Sequence, residues 1–399
     1  MKFAHMADVH LGAWRDPKMR ELGIEAFRQA IGTCIKEKVE FVLIAGDFYN
    51  TSLPGIDVIQ ESVKQLRKLT EQGIRIYIIP GSHDFSTSGK TMLNVLEEAG
   101  IVKNVCKGEV VDDKLQLKFT VDKKTGTKLT GILGRRGSLE TSYYEDLDRK
   151  SLEKESGFKI FLFHSAIDEL KPKKFEKIMA APISYLPKGF DYYAGGHVHI
   201  IKDSSLPGYN HIVYPGPIFP ASFSELEDLE KGGFYIYEDG NLTRKDIMVK
   251  NVVKIKLDVD HKTAEQAALD IRSKLKQEFV DSIVLLRVEG KLSSGKVSDI
   301  NFKEVFQEIY DKGAYFVMKN TAKLTSEEFT EVKVTTGTPE EIEGRVLKEH
   351  AGQVKVSFPE IEMAQNLMTS LARKQDEAEK KYEYDQRVRE DAEKVLEIE

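Results

Sequence analysis

The chain has 399 residues, which is long for one ordinary domain and suggests two or three. A hydrophobic fraction of 41% supports a folded core, while the net charge of −6 excludes nucleic-acid binding by bulk positive charge. No apolar run approaches the roughly 20 residues of a membrane span, and only two cysteines, Cys34 and Cys106, argue against a disulfide framework. We therefore expect a protein of the reducing cytoplasm, without a signal peptide or a membrane anchor.

Apolar runs and helical patterns alternate over residues 1–250. Apolar residues at helical spacing predict helices over 54–70 and 90–99, with a strand over 74–79 between them. Short alternating strands are expected over 110–133 and 212–237. This rhythm is typical of an α/β layered domain.

Five of the apolar runs end in residues that can bind metal ions, and strand ends of an open sheet meet at one edge. In an extended strand, residues at i and i+2 face the same side, so Asp8 with His10 and His197 with His199 could each aim two ligands at one point. The polar residues at these ends are Asp8, His10, Asp47, His83, Asp84, His164, His197 and His199.

This mixture of imidazoles and carboxylates without thiolates suits Mn²⁺, Fe²⁺ or Zn²⁺. Six or seven ligands exceed the needs of one ion, which predicts a pair of ions about 3.5–4 Å apart. Such a pair activates water and neutralises charge on a phosphoryl group. The reaction class that follows is phosphoester hydrolysis.

Each ligand candidate also has a structural interpretation. A single histidine in a strand is more often a hydrogen-bonded core residue, and a Gly-Asp after a strand is often only a turn. His5 fits that interpretation because it lies within its run, and His211, His261 and His350 have no comparable setting. The joint pattern favours a metal site, because five of the nine histidines lie at the ends of apolar runs beside Gly, Asp or another His.

The pattern changes after residue 250. Strands over 252–259 and 283–289 alternate with helices over 263–279 and 301–310, which predicts a small α+β domain over 251–330. Residues 331–399 are expected to form a tail with one helix over 339–349 and a longer one over 359–399. The long helix has an apolar stripe made of Ile361, Ala364, Leu367, Met368, Leu371 and Ala372.

The motifs D-x-H, G-D, G-S-H-D, F-H and G-G-H-x-H, in this order, resemble those of the calcineurin-like metallophosphoesterases. The segments MKFAHMADVHLG, FHSAIDEL, GGHVH and YPGP are similar to those of the SbcD-type double-strand-break repair nucleases within that superfamily. The resemblance covers about residues 1–330. It implies an α/β fold in which a layered β-sandwich is flanked by helices and followed by a small α+β capping domain and a C-terminal helical tail.

The resemblance also implies metal ligands. One Mn²⁺ would be held by Asp8, His10 and His199, and a second by His164 and His197, with Asp47 bridging the two ions. Ser82 occupies the position at which the family has an Asn ligand to the second ion. A Ser hydroxyl is a shorter and weaker ligand, so the affinity of the second site is an open question.

Two neighbouring residues have implied roles in catalysis. His83 would contact the scissile phosphate and assist the leaving oxygen, by charge stabilisation or proton donation. Asp84 would orient His83 through a hydrogen bond.

The implied activity is manganese-dependent 3′-to-5′ exonuclease and single-strand endonuclease action in double-strand-break repair. The implied partners are DNA ends, a second copy that pairs through the helices at 54–70 and 90–99, and an SMC-like coiled-coil ATPase of the SbcC or Rad-fifty type that binds the tail. Two alternatives remain: a metallophosphoesterase for phosphoproteins, cyclic nucleotides or small phosphoesters, and a DNA-end-binding scaffold with catalysis weakened at Ser82.

Basic residues that follow the metal-bearing strands could contact DNA phosphates or could face solvent. They are Arg15, Lys18, Arg20, Arg135, Arg136, Lys171, Lys173 and Lys174.

Overall fold

The computed structural model describes residues 1–86, 89–175, 179–327, 347, 360–375 and 379–396. Residues 1–250 contain fourteen strands and six α-helices among those described. The strands are β1 (Lys2–Met6), β2 (Phe41–Ala45), β3 (Arg75–Ile79), β4 (Lys103–Asn104), β5 (Gly108–Val111), β6 (Lys114–Leu117), β7 (Thr120–Val121), β8 (Lys128–Ile132), β9 (Lys159–His164), β10 (Tyr192–Gly196), β11 (Ile201–Leu206), β12 (Tyr209–Pro215), β13 (Gly232–Glu238) and β14 (Asn241–Ile247). The helices are α1 (Pro17–Lys36), α2 (Ile56–Glu71), α3 (Met92–Glu98), α4 (Thr141–Glu145), α5 (Arg149–Lys154) and α6 (Phe223–Leu229).

Two six-stranded sheets form the centre of the molecule, in the orders β14-β13-β1-β2-β3-β4 and β11-β12-β10-β9-β8-β7. The inner strands of each sheet are parallel, while β13, β14, β11 and β7 are antiparallel additions. The sheets pack face to face through Phe3, Phe41, Leu43, Ile160, Leu162 and Tyr192, all fully buried. The predicted α/β sandwich is therefore confirmed.

The inner strands are apolar along their whole length because both of their faces are buried. In β2, Phe41 and Leu43 point towards the second sheet, while Val42 and Ile44 point towards α1 and α2. Helix α1 was not predicted, although Asp16 caps its first turn by accepting a hydrogen bond from the backbone N–H of Lys18. Helix α6 lies inside a region predicted to hold only strands.

Residues 251–327 form a second sheet-and-helix unit. Its elements are β15 (Asn251–Asp258), α7 (Ala264–Lys274), β16 (Ser282–Leu292), α8 (Phe302–Asp311), β17 (Phe316–Asn320) and β18 (Leu324–Ser326). The four strands are parallel, with β16 at the centre, and the unit has its own apolar core. Ile283 and Leu285 pack instead into the core under α1, so the two units share an apolar contact. The boundaries at 250 and 330 stay a prediction.

The tail differs from the single long helix predicted over 359–399. It contains α9 (Glu360–Leu371) and α10 (Lys381–Val395), and the described residues between them are not helical. The two helices pack on each other, with Arg373 paired to Asp391 and Arg387 paired to Glu379. The apolar stripe of α9 is only partly covered in this arrangement, since Met368 and Leu371 are 38% and 54% exposed. The helix predicted over 339–349 lies outside the described residues except for residue 347.

No helix in the described part of the chain combines the length and the apolar character needed to cross a membrane.

Candidate metal centre

Loops that follow β1, β2, β3, β9 and β10 meet at one edge of the sandwich, as the strand-end argument predicts. Asp8, His10 and His199 offer ligand atoms that all lie within 4.8 Å of one another. The same holds for Asp47, His164 and His197. These two groups of three contain Asp8 and Asp47, respectively, and the assignment of their members to two ions stays a prediction.

The local geometry differs from the extended strand assumed for the i, i+2 pairs. Strands β1 and β10 end at Met6 and Gly196, before the ligand candidates begin. Five candidates have the left-handed backbone conformation that L-residues seldom adopt: Asp8 (φ 51), His10 (φ 47), Asp47 (φ 51), His197 (φ 96) and His199 (φ 50). Strained backbone of this kind is concentrated at functional sites because the surrounding structure has to impose it.

Backbone hydrogen bonds between the loops impose that conformation. The N–H of Asp8 donates to the carbonyl of Gly46 (3.1 Å), and the N–H of His10 donates to the carbonyl of Asp47 (2.9 Å). The Asp8 carboxylate in turn accepts from the N–H of His197 (2.9 Å), which ties the first sheet to the second. The two acidic residues are therefore placed by the main chain and do not depend on the imidazoles for their position.

Two glycines leave room for this approach. A Cβ on Gly46, at φ +85, would lie 2.2 Å from Nδ1 of His164. A Cβ on Gly81 would lie 2.2 Å from the backbone nitrogen of Asp47 and 2.3 Å from its Oδ1. Only glycine fits at either position without moving a ligand candidate.

The orientation of His164 supports a cation at this place. Its Nδ1 donates to the carbonyl of Ala45 (2.8 Å), which leaves the lone pair of Nε2 directed at the Asp47 carboxylate, 3.1 Å away. Nε2 of His164 and Nδ1 of His10 are buried without a hydrogen bond among the described residues. If the imidazole is neutral, these two acceptors repel each other in a buried site, and either a proton on Nε2 or a metal ion removes the repulsion. The donor set therefore fits a divalent metal ion.

The pKa values of the histidines also favour a cation at this site. Burial lowers the pKa of His10 and of His197 to about 3, so both imidazoles are neutral and available as ligands. Burial also opposes protonation of His164, but the Asp47 carboxylate outweighs it and raises the pKa of His164 to about 10. The cluster without metal thus takes up a proton to balance Asp47. A bound cation would replace that proton, and metal binding would be coupled to proton release.

The segment after β3 surrounds Asp47. The N–H of His83 donates to Oδ1 of Asp47 (2.7 Å), and the hydroxyl of Ser82 donates to Oδ2 (3.4 Å). Ser82 is thus beside the proposed bridging carboxylate, where its hydroxyl could also reach an ion. His83 lies within 4.8 Å of His10 and Asp47 in a third group of potential ligands.

The prediction that Asp84 forms a hydrogen bond with His83 is wrong. Nδ1 of His83 donates to the carbonyl of Asn50 (2.8 Å). The Asp84 carboxylate accepts from the backbone N–H groups of Phe48, Tyr49 and Gly81, at 2.9–3.0 Å. Both carboxylate oxygens of Asp84 thus satisfy buried backbone N–H groups that would otherwise lack a hydrogen bond. Asp84 therefore stabilises the loops around Asp47.

Sequence reasoning missed two groups. The Asn50 carbonyl orients His83, and no side-chain pattern could have shown this. Glu225 places Oε2 3.1 Å from Nδ1 of His199. The motif Ser222-x-x-Glu225 is a helix-start signal that could have located α6, since the Ser222 side chain accepts from the N–H of Glu225. His5 is a core residue, as interpreted, and bonds with the Tyr192 hydroxyl (3.0 Å).

Several basic residues suggested for DNA contacts have internal partners. Arg20 donates to the carbonyls of Trp14 and Arg15, and Lys171 pairs with Asp168. The Arg135 guanidinium lies over the rings of Phe85 and Tyr143, next to the His83 segment. Arg15 and Arg136 are exposed.

Comparisons with known proteins identify a family and several relatives. Residues 1–200 match the family described as calcineurin-like phosphoesterase. Three relatives carry the name DNA double-strand break repair protein Mre11. The Archaeoglobus fulgidus protein is 28% identical over 64% of this chain and 57% of its own length, and the Methanopyrus kandleri protein is 28% identical over 60% and 54%. The Methanococcus maripaludis protein is 27% identical over 77% of this chain and 90% of its own length.

Proposed function

The chain belongs to the calcineurin-like phosphoesterase family, and on that premise we propose that it is a manganese-dependent DNA nuclease of double-strand-break repair. The observation that carries the proposal is the convergence of two buried carboxylates and four imidazoles at one sheet edge. The relatives named DNA double-strand break repair protein Mre11 suggest DNA as the substrate class.

We propose that Asp8, His10 and His199 hold one ion and that His164 and His197 hold the other, with Asp47 between them and Ser82 beside it. A bound metal pair would activate water and neutralise charge on the phosphoryl oxygens. The chain itself supplies the placement of the ligands, because main-chain hydrogen bonds hold both carboxylates in position before any ion arrives.

His83 is proposed as the residue that acts on the substrate. Its Nδ1 is occupied by the Asn50 carbonyl, so Nε2 is the nitrogen that can meet a phosphate or the leaving oxygen. A protonated imidazole at that position would stabilise negative charge, or would donate a proton to the departing oxygen.

The remaining parts of the chain fit work on a large substrate. We propose that residues 251–330 form a capping domain that shapes access of DNA to the metal centre, and that the tail binds a coiled-coil ATPase of the SbcC or Rad-fifty type. We further propose a homodimer formed through α2 and α3 and a cytoplasmic location. Leu53, Ile56 and Val95, on or beside these helices, are 77%, 84% and 56% exposed and are therefore accessible to a second copy.

A direct experiment separates this function from its alternatives. The purified protein with Mn²⁺ should degrade linear duplex DNA from its 3′ ends and cut single strands. Asp47→Ala should abolish both reactions, while Asp146→Ala, which removes an exposed carboxylate, should not. Cleavage of a small chromogenic phosphodiester without cleavage of DNA would favour a small-substrate phosphoesterase. DNA binding with no cleavage of either substrate would favour a scaffold.

A further inference from the structure

Helix α6 touches the candidate metal centre at one end and the 251–327 unit along its length. In its first turn, Oε2 of Glu225 lies 3.1 Å from Nδ1 of His199. Further along, Glu227 accepts two hydrogen bonds from Arg287 of β16, at 2.7 and 2.6 Å. A seven-residue helix thus connects a ligand candidate to the central strand of another unit.

Glu225 is itself fixed before it meets His199. Its Oε2 accepts from the N–H of Ala221 (2.9 Å), and its Oε1 accepts from the Ser222 hydroxyl (3.2 Å). These two hydrogen bonds at the start of α6 therefore orient the Glu225 carboxylate. Its charge makes it a strong acceptor for the Nδ1–H of a neutral imidazole.

The bond to Glu225 decides which nitrogen His199 presents to the centre. Nδ1 of His199 faces Glu225, so Nε2 is the nitrogen directed at the centre, 3.7 Å from Oδ1 of Asp8 and 3.0 Å from Nε2 of His10, with which it shares a hydrogen bond. Packing alone does not hold the ring, because a cavity of about 530 Å³ lies beside His199. Without Glu225 the ring could turn into that space.

The 251–327 unit in turn holds helix α6 in position. The Arg287 guanidinium forms a two-pronged pair with Glu227 and lies 5.2 Å from the centre of the Phe223 ring. Nζ of Lys254 donates to the Glu227 carbonyl (3.2 Å). Arg287 and Glu227 are 16% and 23% exposed, so water does not fully screen their interaction.

We propose that α6 is a positioning element that couples attachment of the 251–327 unit to metal affinity at His199. Glu225 fixes the tautomer and the direction of the imidazole, and the Arg287–Glu227 pair fixes α6. Partners of metal-binding histidines commonly change metal affinity by about 10–100-fold when they are removed. This inference rests on the proposed metal centre and adds a means by which movement of the 251–327 unit would alter it.

Calorimetric titration of the metal-free full chain with Mn²⁺ tests the coupling. Glu225→Ala should weaken one of the two sites by about 10–100-fold, and Glu225→Gln, which retains an acceptor oxygen, should weaken it less. Arg287→Gln should weaken the same site by a smaller factor. In the Glu225→Ala background, Arg287→Gln should have no further effect, because the connection to His199 is already broken. Lys256→Gln removes the same charge from a pair with Glu289 inside the unit and should change nothing.

If Arg287→Gln fails to fold, Glu227→Gln breaks the same pair from the other side.

The outcomes separate the two proposals. No Mn²⁺ binding by the wild type would refute the metal centre itself. Wild-type affinity in Glu225→Ala would refute the positioning role of Glu225. Wild-type affinity in Arg287→Gln and Glu227→Gln, or additive effects in the double variant, would refute the coupling to the 251–327 unit.

Discussion

Backbone conformation sets the position of single residues at the candidate centre. The left-handed conformation costs an L-residue roughly 1–2 kcal/mol, and Asp8, Asp47 and His199 all adopt it. Hydrogen bonds between the loops compensate for this cost, as the bonds from Asp8 to Gly46 and from His10 to Asp47 show. The side chains are thus held in place ahead of the ligand, which reduces the reorganisation that catalysis would require.

His83→Ser should separate chemistry from metal binding. The bond from the backbone of His83 to Asp47 survives the change, so both ions and DNA binding should be retained. Cleavage should slow by about 10²–10⁴-fold, the usual contribution of a positioned acid or base. Elemental analysis by mass spectrometry with single-turnover kinetics measures both. Loss of bound Mn²⁺ would make His83 a ligand, as its closeness to His10 and Asp47 allows.

Ser82→Asn tests whether a short ligand limits the second site. The Ser82 hydroxyl lies 3.4 Å from Oδ2 of Asp47, and an amide oxygen at this position would reach farther towards the ion. The Mn²⁺ concentration that gives half-maximal cleavage should fall. Ser82→Ala is the control and should raise it. An unchanged metal dependence in both variants would show that Ser82 does not contribute to the site.

Gly46→Ala should lower the stability of the fold by more than the strain of a left-handed alanine backbone alone would. The new methyl group meets His164 at 2.2 Å, in addition to the strain of φ +85. Gly240→Ala is the matched control, because Gly240 has φ +92 and nothing within 4 Å of its Cβ position. Thermal unfolding of both variants compares the two effects. Equal losses of melting temperature would show that His164 can move away without cost.

Individual elements serve both the core and the surface. Helix α2 packs on its own sheet through Val58, Leu66 and Leu69, and its pairing with a second copy of the chain stays a prediction. Ile56 is left 84% exposed at its start. An element that contributes a buried face to the core can therefore still offer an apolar end to a partner.

The tail hairpin is the element we expect to bind the ATPase. Met368 and Leu371 of α9 are 38% and 54% exposed although α10 packs against the helix. Leu367→Glu with Leu371→Glu should abolish co-elution with the ATPase in size-exclusion chromatography, because charges in a desolvated helix–helix contact lack partners. A chain ending near residue 331 should behave in the same way and keep its Mn²⁺-dependent nuclease activity.

Gln365→Glu with Asn366→Glu is the control for charge, since it adds the same two charges at exposed positions of α9. That variant should still bind the ATPase. Wild-type affinity of the truncated chain would place the partner site elsewhere.

At the scale of the whole molecule, the candidate centre joins the two sheets. Asp8 and Asp47 follow strands of the first sheet, while His164 and His197 come from the second. A ligand that binds residues of both sheets should stabilise the sandwich as a unit. At a free concentration 100 times its dissociation constant, each bound ion adds about 2.7 kcal/mol to the free energy of unfolding.

Removal of metal should therefore lower the melting temperature of the full chain, and Mn²⁺ should restore it. Differential scanning calorimetry with a chelator and then with excess Mn²⁺ measures the change. In Asp47→Ala the response to Mn²⁺ should be much smaller, because both proposed sites lose a ligand. A melting temperature that does not depend on metal in the wild type would contradict a site that spans the sheets.

The sequence by itself was sufficient to predict the layered fold and the residues that gather at its edge. Buried parallel strands require continuous apolar runs. Polar residues at the ends of these runs lie close together, because the ends of parallel strands meet at one edge of the sheet. Tertiary structure alone decided the backbone conformation of Asp8 and His199, the partner of His83 and the role of Asp84. These depend on loops far apart in the chain, where a main-chain carbonyl or a distant carboxylate such as Glu225 satisfies a ring nitrogen, and no local pattern encodes such a pairing.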